Sequence, residues 1–135
     1  KPAPEKLAIK GNNTVCILSG EKRFKNEVIT KVSRSLEANG YTVVRDENGN
    51  SKYYAASDYG AVIYIAEYWA WHTPRHAIRY FNRNGKARNI IFLITSGDPD
   101  VKIQKPFDAV TSASSIKNVD KASEEIIIRV NRIME

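Results

Sequence analysis

The sequence predicts a doubly wound α/β domain built on a parallel sheet, and three observations carry that prediction. Two short runs, Ala61–Ala66 and Asn89–Thr95, are apolar almost without interruption and rich in β-branched residues. Strands of that kind are buried on both faces, as in parallel sheets. Roughly twenty residues separate the two runs, enough for a helical crossover. Strand and helix patterns also alternate along the chain, with no repeat and no low-complexity segment.

Taken in order, Thr14–Leu18 (TVCIL) is the first strand, ending at Ser19-Gly20. A helix is expected over Glu21–Ala38, where Phe24, Val28, Val32 and Leu36 recur every four residues with Ile29 beside them. Asn39-Gly40 supplies the left-handed stop found just past helix ends. Tyr41–Arg45 is the second strand, closed by the turn-forming Asp46–Asn50. Lys52–Ser57 has room only for a brief helix before the third strand, Ala61–Ala66. Pro74, Ala77, Ile78 and Phe81 form one face of the next helix, which leads to the fourth strand, Asn89–Thr95. A short fifth strand is expected at Phe107–Thr111, followed by the hydroxyl-rich Ser112–Ser115. Val119–Met134 closes the chain as a helix with Val119, Ala122, Ile126, Val130 and Ile133 on its core face.

At 135 residues this is one domain, with residues 1–12 expected as a flexible leader and 13–135 as the folded unit. Lys1–Lys6 has the composition of a segment left when a signal or anchor is removed, so a cytoplasmic and an extracytoplasmic location both stay open. Hydrophobic residues make up 42% and charged residues 27%, which excludes a disordered chain. No apolar run approaches the roughly 20 residues of a transmembrane helix. The one cysteine, Cys16, lies inside an apolar run and is expected to be a small buried side chain rather than a reactive thiol.

In a doubly wound sheet, ligands bind beyond the carboxyl ends of the strands. The loops to inspect are therefore Ser19–Arg23, Glu67–Thr73, Ser96–Asp100 and Ser112–Ser115. The second of these carries Tyr68, Trp69, Trp71 and His72. Large aromatics in such a loop stack on a ligand, meet a partner, or cover the end of the sheet. Between Glu67 and Asp98 there is no acidic residue, while Arg75, Arg79, Arg83, Lys86 and Arg88 are all cationic. Arg75, Arg79 and Arg83, four apart, form a stripe on one helix face. It is either a solvated outer face or a docking site, with an acidic protein ranked before an anionic surface or nucleic acid. His72 and His76 are also four apart, but no third ligand completes a metal site. A Gly-x-Ser-x-Gly elbow, a Walker-type loop and the dinucleotide fingerprint are all missing. The acidic cluster and phosphoacceptor Asp of a response-regulator receiver are missing too.

Asp58-Tyr59 before the third strand, the aromatic loop with Pro74, Phe81 near the helix end and Thr95-Ser96-Gly97 at the fourth strand's exit together resemble the flavodoxin-like superfamily. That resemblance covers residues 14–134 and implies strand order 2-1-3-4-5. It also implies FMN held by three loops, with electron transfer or flavin-dependent reduction as the activity. Carried over, Ser19, Gly20, Lys22 and Arg23 meet the phosphate, with Glu21 beside them. Trp69 or Trp71 stacks on the ring, Tyr68 and His72 of the same loop are further cofactor-binding candidates, His72 by a hydrogen bond, and Ser96, Gly97 and Asp98 line the ring's polar edge. The chain departs from the family after the first strand, where Ser19–Asn26 lacks the usual series of hydroxyls. The alternative is a flavin-free member of the fold that binds a partner through loop 67–73 and the Arg75, Arg79, Arg83 stripe.

Overall fold

Alternation of side chains between two apolar layers governs the architecture. The computed structural model describes residues 4–20, 23–67, 74–96, 109–113 and 118–135. Five strands, β1 (Gly11–Ser19), β2 (Thr42–Glu47), β3 (Tyr59–Glu67), β4 (Ile90–Ser96) and β5 (Ala109–Ala113), pair in parallel in the order β2-β1-β3-β4-β5. Three helices, α1 (Arg23–Ala38), α2 (Arg75–Arg83) and α3 (Val119–Met134), cover the sheet. On one face Val15, Ile17, Ala61, Ile63, Ile65, Ile91 and Leu93 meet α1 and α3. On the other, Cys16, Leu18, Val62, Tyr64, Phe92 and Ile94 meet α2. Each fully buried aliphatic side chain contributes about 1.5–3 kcal/mol through removal from water.

Strand boundaries extend beyond the apolar runs. β1 begins at Gly11 rather than Thr14, since Gly11 already pairs with Tyr59. β2 reaches Glu47 because backbone pairing with Ser19 continues into the charged residues at the sheet's edge. Such shifts arise because ladder hydrogen bonds need no apolar side chain. β5 is paired from Ala109 to Ala113, so it extends past the expected end at Thr111; residues 107 and 108 lie outside the described residues. Within the expected leader, Glu5–Ala8 forms a 3-10 turn and Leu7 packs on the α2-side core.

Helix ends follow their local chemistry. α1 stops where Gly40 takes φ +90°, with its N–H donating to Glu37 O and the N–H of Tyr41 to Leu36 O. Asn13 Nδ2 donates to Gly40 O at 2.8 Å and ties that stop to the start of β1. The expected brief helix over Lys52–Ser57 is instead two 3-10 turns, Asn48–Tyr53 and Ala56–Asp58. So short a link cannot lay a full α-helix on the sheet, and aromatic rings fill the space. Tyr54, Tyr64, Tyr80 and Phe92 are all buried. The Tyr64 ring lies 5.1 Å from Tyr80 and 5.6 Å from Phe92, and Tyr80 OH donates to Tyr54 O at 2.6 Å. Asn84 and Asn89 bind the backbone of Ala56 and so lace the loop after α2 to the start of β3.

Cys16 is fully buried and its thiol is pushed up to about 12, chiefly by burial and then by the charge of Asp46. That environment makes it inert at neutral pH.

At Gly60, near the start of β3, an added Cβ would collide with the backbone carbonyl of Asn12 and with the sulfur of Met134. The methionine can swing aside, but a strand carbonyl cannot. Gly60→Ala is therefore expected to destabilise by about 1–3 kcal/mol, lowering the thermal midpoint by roughly 4–12 °C. Pairing it with Met134→Ala should not restore the midpoint, and full restoration would refute the backbone clash.

Candidate functional site

The reversal of strand order between β1 and β3 directs attention to their carboxyl ends. β1 leaves the sheet through Ser19 and Gly20, and β3 ends at Glu67. Ser19 is buried, and its hydroxyl donates to the Gly20 carbonyl at 3.0 Å. That hydroxyl is thereby turned toward its own chain.

A charged pair stands at this edge, Lys25 with Glu67, and Lys25 is not among the residues expected from the sequence. Its residue is only 5% exposed, although it lies in the first turns of a surface helix. Periodicity explains this: Lys25, Val28, Ile29, Val32 and Leu36 all lie on the inward face of α1. Phe24, the residue chosen from the sequence to start that stripe, has a side chain outside the described set. Lys25 lies where the helix overhangs the sheet's edge, so its ammonium reaches across the switch point to Glu67 Oε1 at 3.4 Å. A Cβ on Gly20 would come within 3.4 Å of the same nitrogen. The lysine amine therefore stands directly over the β1 exit. Spacing 25–28–29–32–36 puts it on the inward face, but only the position of Glu67 explains a lysine there.

A cleft of about 600 Å³ opens beside this point on the α1 face of the sheet. Ser19, Gly20 and Asn26 line one side, and Arg45, Asp46 and Glu47 at the end of β2 line the other. Across the sheet, Asn48 Nδ2 donates to Ile65 O at 3.0 Å, so the chain leaving β2 is held against the end of β3.

On the α2 face, the buried hydroxyl of Tyr64 lies 2.5 Å from His76 Nδ1, with Ser51 as its further hydrogen-bond partner. Burial pushes the Tyr64 phenol up to about 12, so it keeps its proton. His76 is held below its usual 6.5, first by burial of its inner edge and then by the positive charges of Arg79 and Lys25. With the imidazole neutral and the phenol keeping its proton, Tyr64 is placed to donate to Nδ1, which puts the ring proton on Nε2. Arg75, Arg79 and Arg83 are exposed along α2, while Pro74, Ala77 and Tyr80 are buried beneath it. The helical stripe expected from the sequence is thus present as a cationic outer face. Tyr80 was the inward residue that the four-residue spacing missed.

Of the residues expected to hold a cofactor, Ser19 and Gly20 meet at the β1 exit. Arg23 opens α1 and Ser96 ends β4, and only their backbones are described. Lys22, Tyr68, Trp69, Trp71, His72, Gly97 and Asp98 lie outside the described residues, as does Glu21.

Because the folded state holds His76 below the value it has when unfolded, the unfolded chain binds the extra proton first. Stability is then lost as pH falls through about 6.5 toward the folded value. The urea midpoint should drop between about pH 7.5 and 5.5, and His76→Gln should flatten that drop. Equal pH profiles for the two proteins would show that His76 is not the group responsible.

No family model and no curated protein matches this chain. Solved structures do. The flavodiiron protein from Giardia intestinalis superposes with a TM-score of 0.61 over 96% of this chain at 10% identity. Rubredoxin oxygen:oxidoreductase from Desulfovibrio gigas superposes with a TM-score of 0.55 over 93% of it at 12% identity. This chain spans only 38% and 37% of the length of those two proteins. Such identities speak for the fold alone, and both proteins have flavodoxin-like domains. With its parallel sheet ordered through β1 and β3 and helices on both faces, this chain carries the flavodoxin-like fold.

Proposed function

We propose that this flavodoxin-like domain holds FMN along the carboxyl edge of its sheet and serves electron transfer or flavin-dependent reduction. The observation that carries this reading is Lys25, a buried ammonium standing over the β1 exit and tied to Glu67 at the end of β3. An anion beside Gly20 would gain from that charge, which burial keeps poorly screened. The hydroxyl series usual in the family is missing from Ser19–Asn26, and Ser19 turns its own hydroxyl away. A lysine amine is a different means to the same end, and in this respect the residues present fit a phosphate. Glu67 then acts as the counter-charge that keeps the amine in place until an anion arrives.

In this reading Gly20, Lys25 and the cations Lys22 and Arg23 hold the phosphate end. Tyr68, Trp69, Trp71 and His72 enclose the ring, and Ser96, Gly97 and Asp98 meet its polar edge. Bound FMN would supply the redox chemistry; the chain's part is to orient the group, exclude water and set the charge around it.

A second reading, a flavin-free binding module, is favoured by one observation. Arg75, Arg79 and Arg83 are exposed and make no ion pair among the described residues. An acidic protein docking on that stripe would be released by salt.

Titrating the chain with FMN and with riboflavin separates the readings. FMN is expected to bind with a dissociation constant below about 50 µM, and Lys25→Met to weaken it at least about tenfold. Riboflavin, which has no phosphate, should bind Lys25→Met and wild type alike. A chain whose tryptophan fluorescence and added flavin spectrum both stay unchanged at about 50 µM FMN would defeat the flavin reading.

A further inference from the structure

A second concave site lies on the α2 face, lined by none of the residues of the cleft beside the β1 exit. It is a cavity of about 290 Å³ between the 3-10 turn after β2 and the outer face of α2. Lys52 and Ser51 line it from the turn, and His76, Arg79 and Arg83 from the helix. Three permanent cations thus face one small space. Arg79 and Arg83 sit four apart on α2, where like charges repel, and neither makes an ion pair among the described residues. Lys52 lies over the Tyr53 ring, 5.1 Å from its centre. Of the two acids just before that turn, Glu47 borders it and Asp46 is engaged by Tyr54 OH, Asn50 Nδ2 and the backbone N–H of Glu47.

His76 supplies an oriented donor to the same space. Its Nδ1 is occupied by the buried Tyr64 hydroxyl at 2.5 Å, so the ring is fixed and Nε2–H is left for a ligand. Fixing the donor beforehand lowers the entropy cost of binding.

We propose that Lys52, His76, Arg79 and Arg83 form a binding site for a phosphate dianion, either free or as the terminal group of a small phosphate ester. Arginines offer planar forks that match phosphate oxygens, lysine adds a point charge, and the imidazole adds a neutral hydrogen bond. At about 290 Å³ the cavity sits at the lower limit for small-molecule sites. It has room for a phosphate and a compact body, not for a dinucleotide. This site goes beyond the FMN reading, since it shares no lining residue with the cleft beside the β1 exit.

The test is a titration of the full chain with phenyl phosphate and with inorganic phosphate, followed in nitrogen–proton spectra through the arginine Nε–H and histidine ring signals. Saturable shifts of Arg79, Arg83 and His76 are expected, with half-saturation below about 5 mM. Arg79→Gln combined with Arg83→Gln replaces two exposed side chains and should leave the fold intact, as checked by circular dichroism. That variant should bind at least about tenfold more weakly. Lys25→Met should bind phenyl phosphate as wild type does. Tighter binding of phenyl phosphate than of inorganic phosphate identifies an ester as the ligand; equal binding identifies the free anion. The proposal is overturned if the shifts fail to saturate by about 20 mM, or if the double variant binds unchanged. It is equally overturned if Lys25→Met abolishes binding, or if polyglutamate shifts these signals while both phosphates do not.

Discussion

Burial of β1 and β3 on both faces is the constraint from which the rest of this structure follows. These two strands lie side by side in parallel at the middle of the sheet. From Val15 to Leu18 and from Ala61 to Ala66, no residue of either strand is more than 1% exposed. A sheet of that kind is stable only when something apolar covers each side. Charged side chains are then excluded from the middle of these strands and confined to their ends. Ser19 and Glu67 mark where that exclusion lifts, and Lys25 is drawn in from α1 to meet them. The site at the carboxyl edge is therefore a by-product of packing: an inward lysine becomes tolerable only where the core stops and a carboxylate begins.

The two faces meet the same demand by different means. α1 and α3 each bring sixteen residues to one side and cover it with aliphatic side chains. The other side has only the nine residues of α2, so tyrosines and two 3-10 turns complete the cover. Buried tyrosines need partners for their hydroxyls. Tyr80 finds a carbonyl, Tyr54 finds Asp46, and Tyr64 finds His76. Each partner is thereby fixed in place. His76 is oriented because Tyr64 fills a volume that a longer crossover would have filled with aliphatic carbon. The same short turn brings Lys52 to the cavity that Arg79 and Arg83 also line, so the shape of the link decides the charge of the cavity.

Much of this could be seen in the chain itself. The uninterrupted apolar runs of β3 and β4, the Asn39-Gly40 stop and the period of α3 are local signals. A strand buried on both faces and a helix buried on one leave distinct imprints on neighbouring residues. The extensions of β1 to Gly11 and of β2 to Glu47 left no such imprint, because they depend on backbone pairing with a distant strand. Lys25 was hidden for a related reason: a lysine on an inward stripe reads as an interruption unless the end of β3 is known to be beneath it. The resemblance carried by Asp58-Tyr59, Phe81 and Thr95-Ser96-Gly97 pointed to the right fold, while the family's phosphate loop was recognisable only by what it lacked.

The sequence by itself determined which segments pair and pack, since hydrophobic period and turn chemistry are properties of neighbouring residues. It also determined that α2 would present Arg75, Arg79 and Arg83 along one side. Only the tertiary structure decided which charges share a space. Glu67 meets Lys25 across 42 positions of chain. Lys52 shares a cavity with Arg79 and Arg83 because a short link folds back over the sheet. Electrostatic interaction falls with distance through space rather than along the chain, so no reading of spacing could have joined those groups.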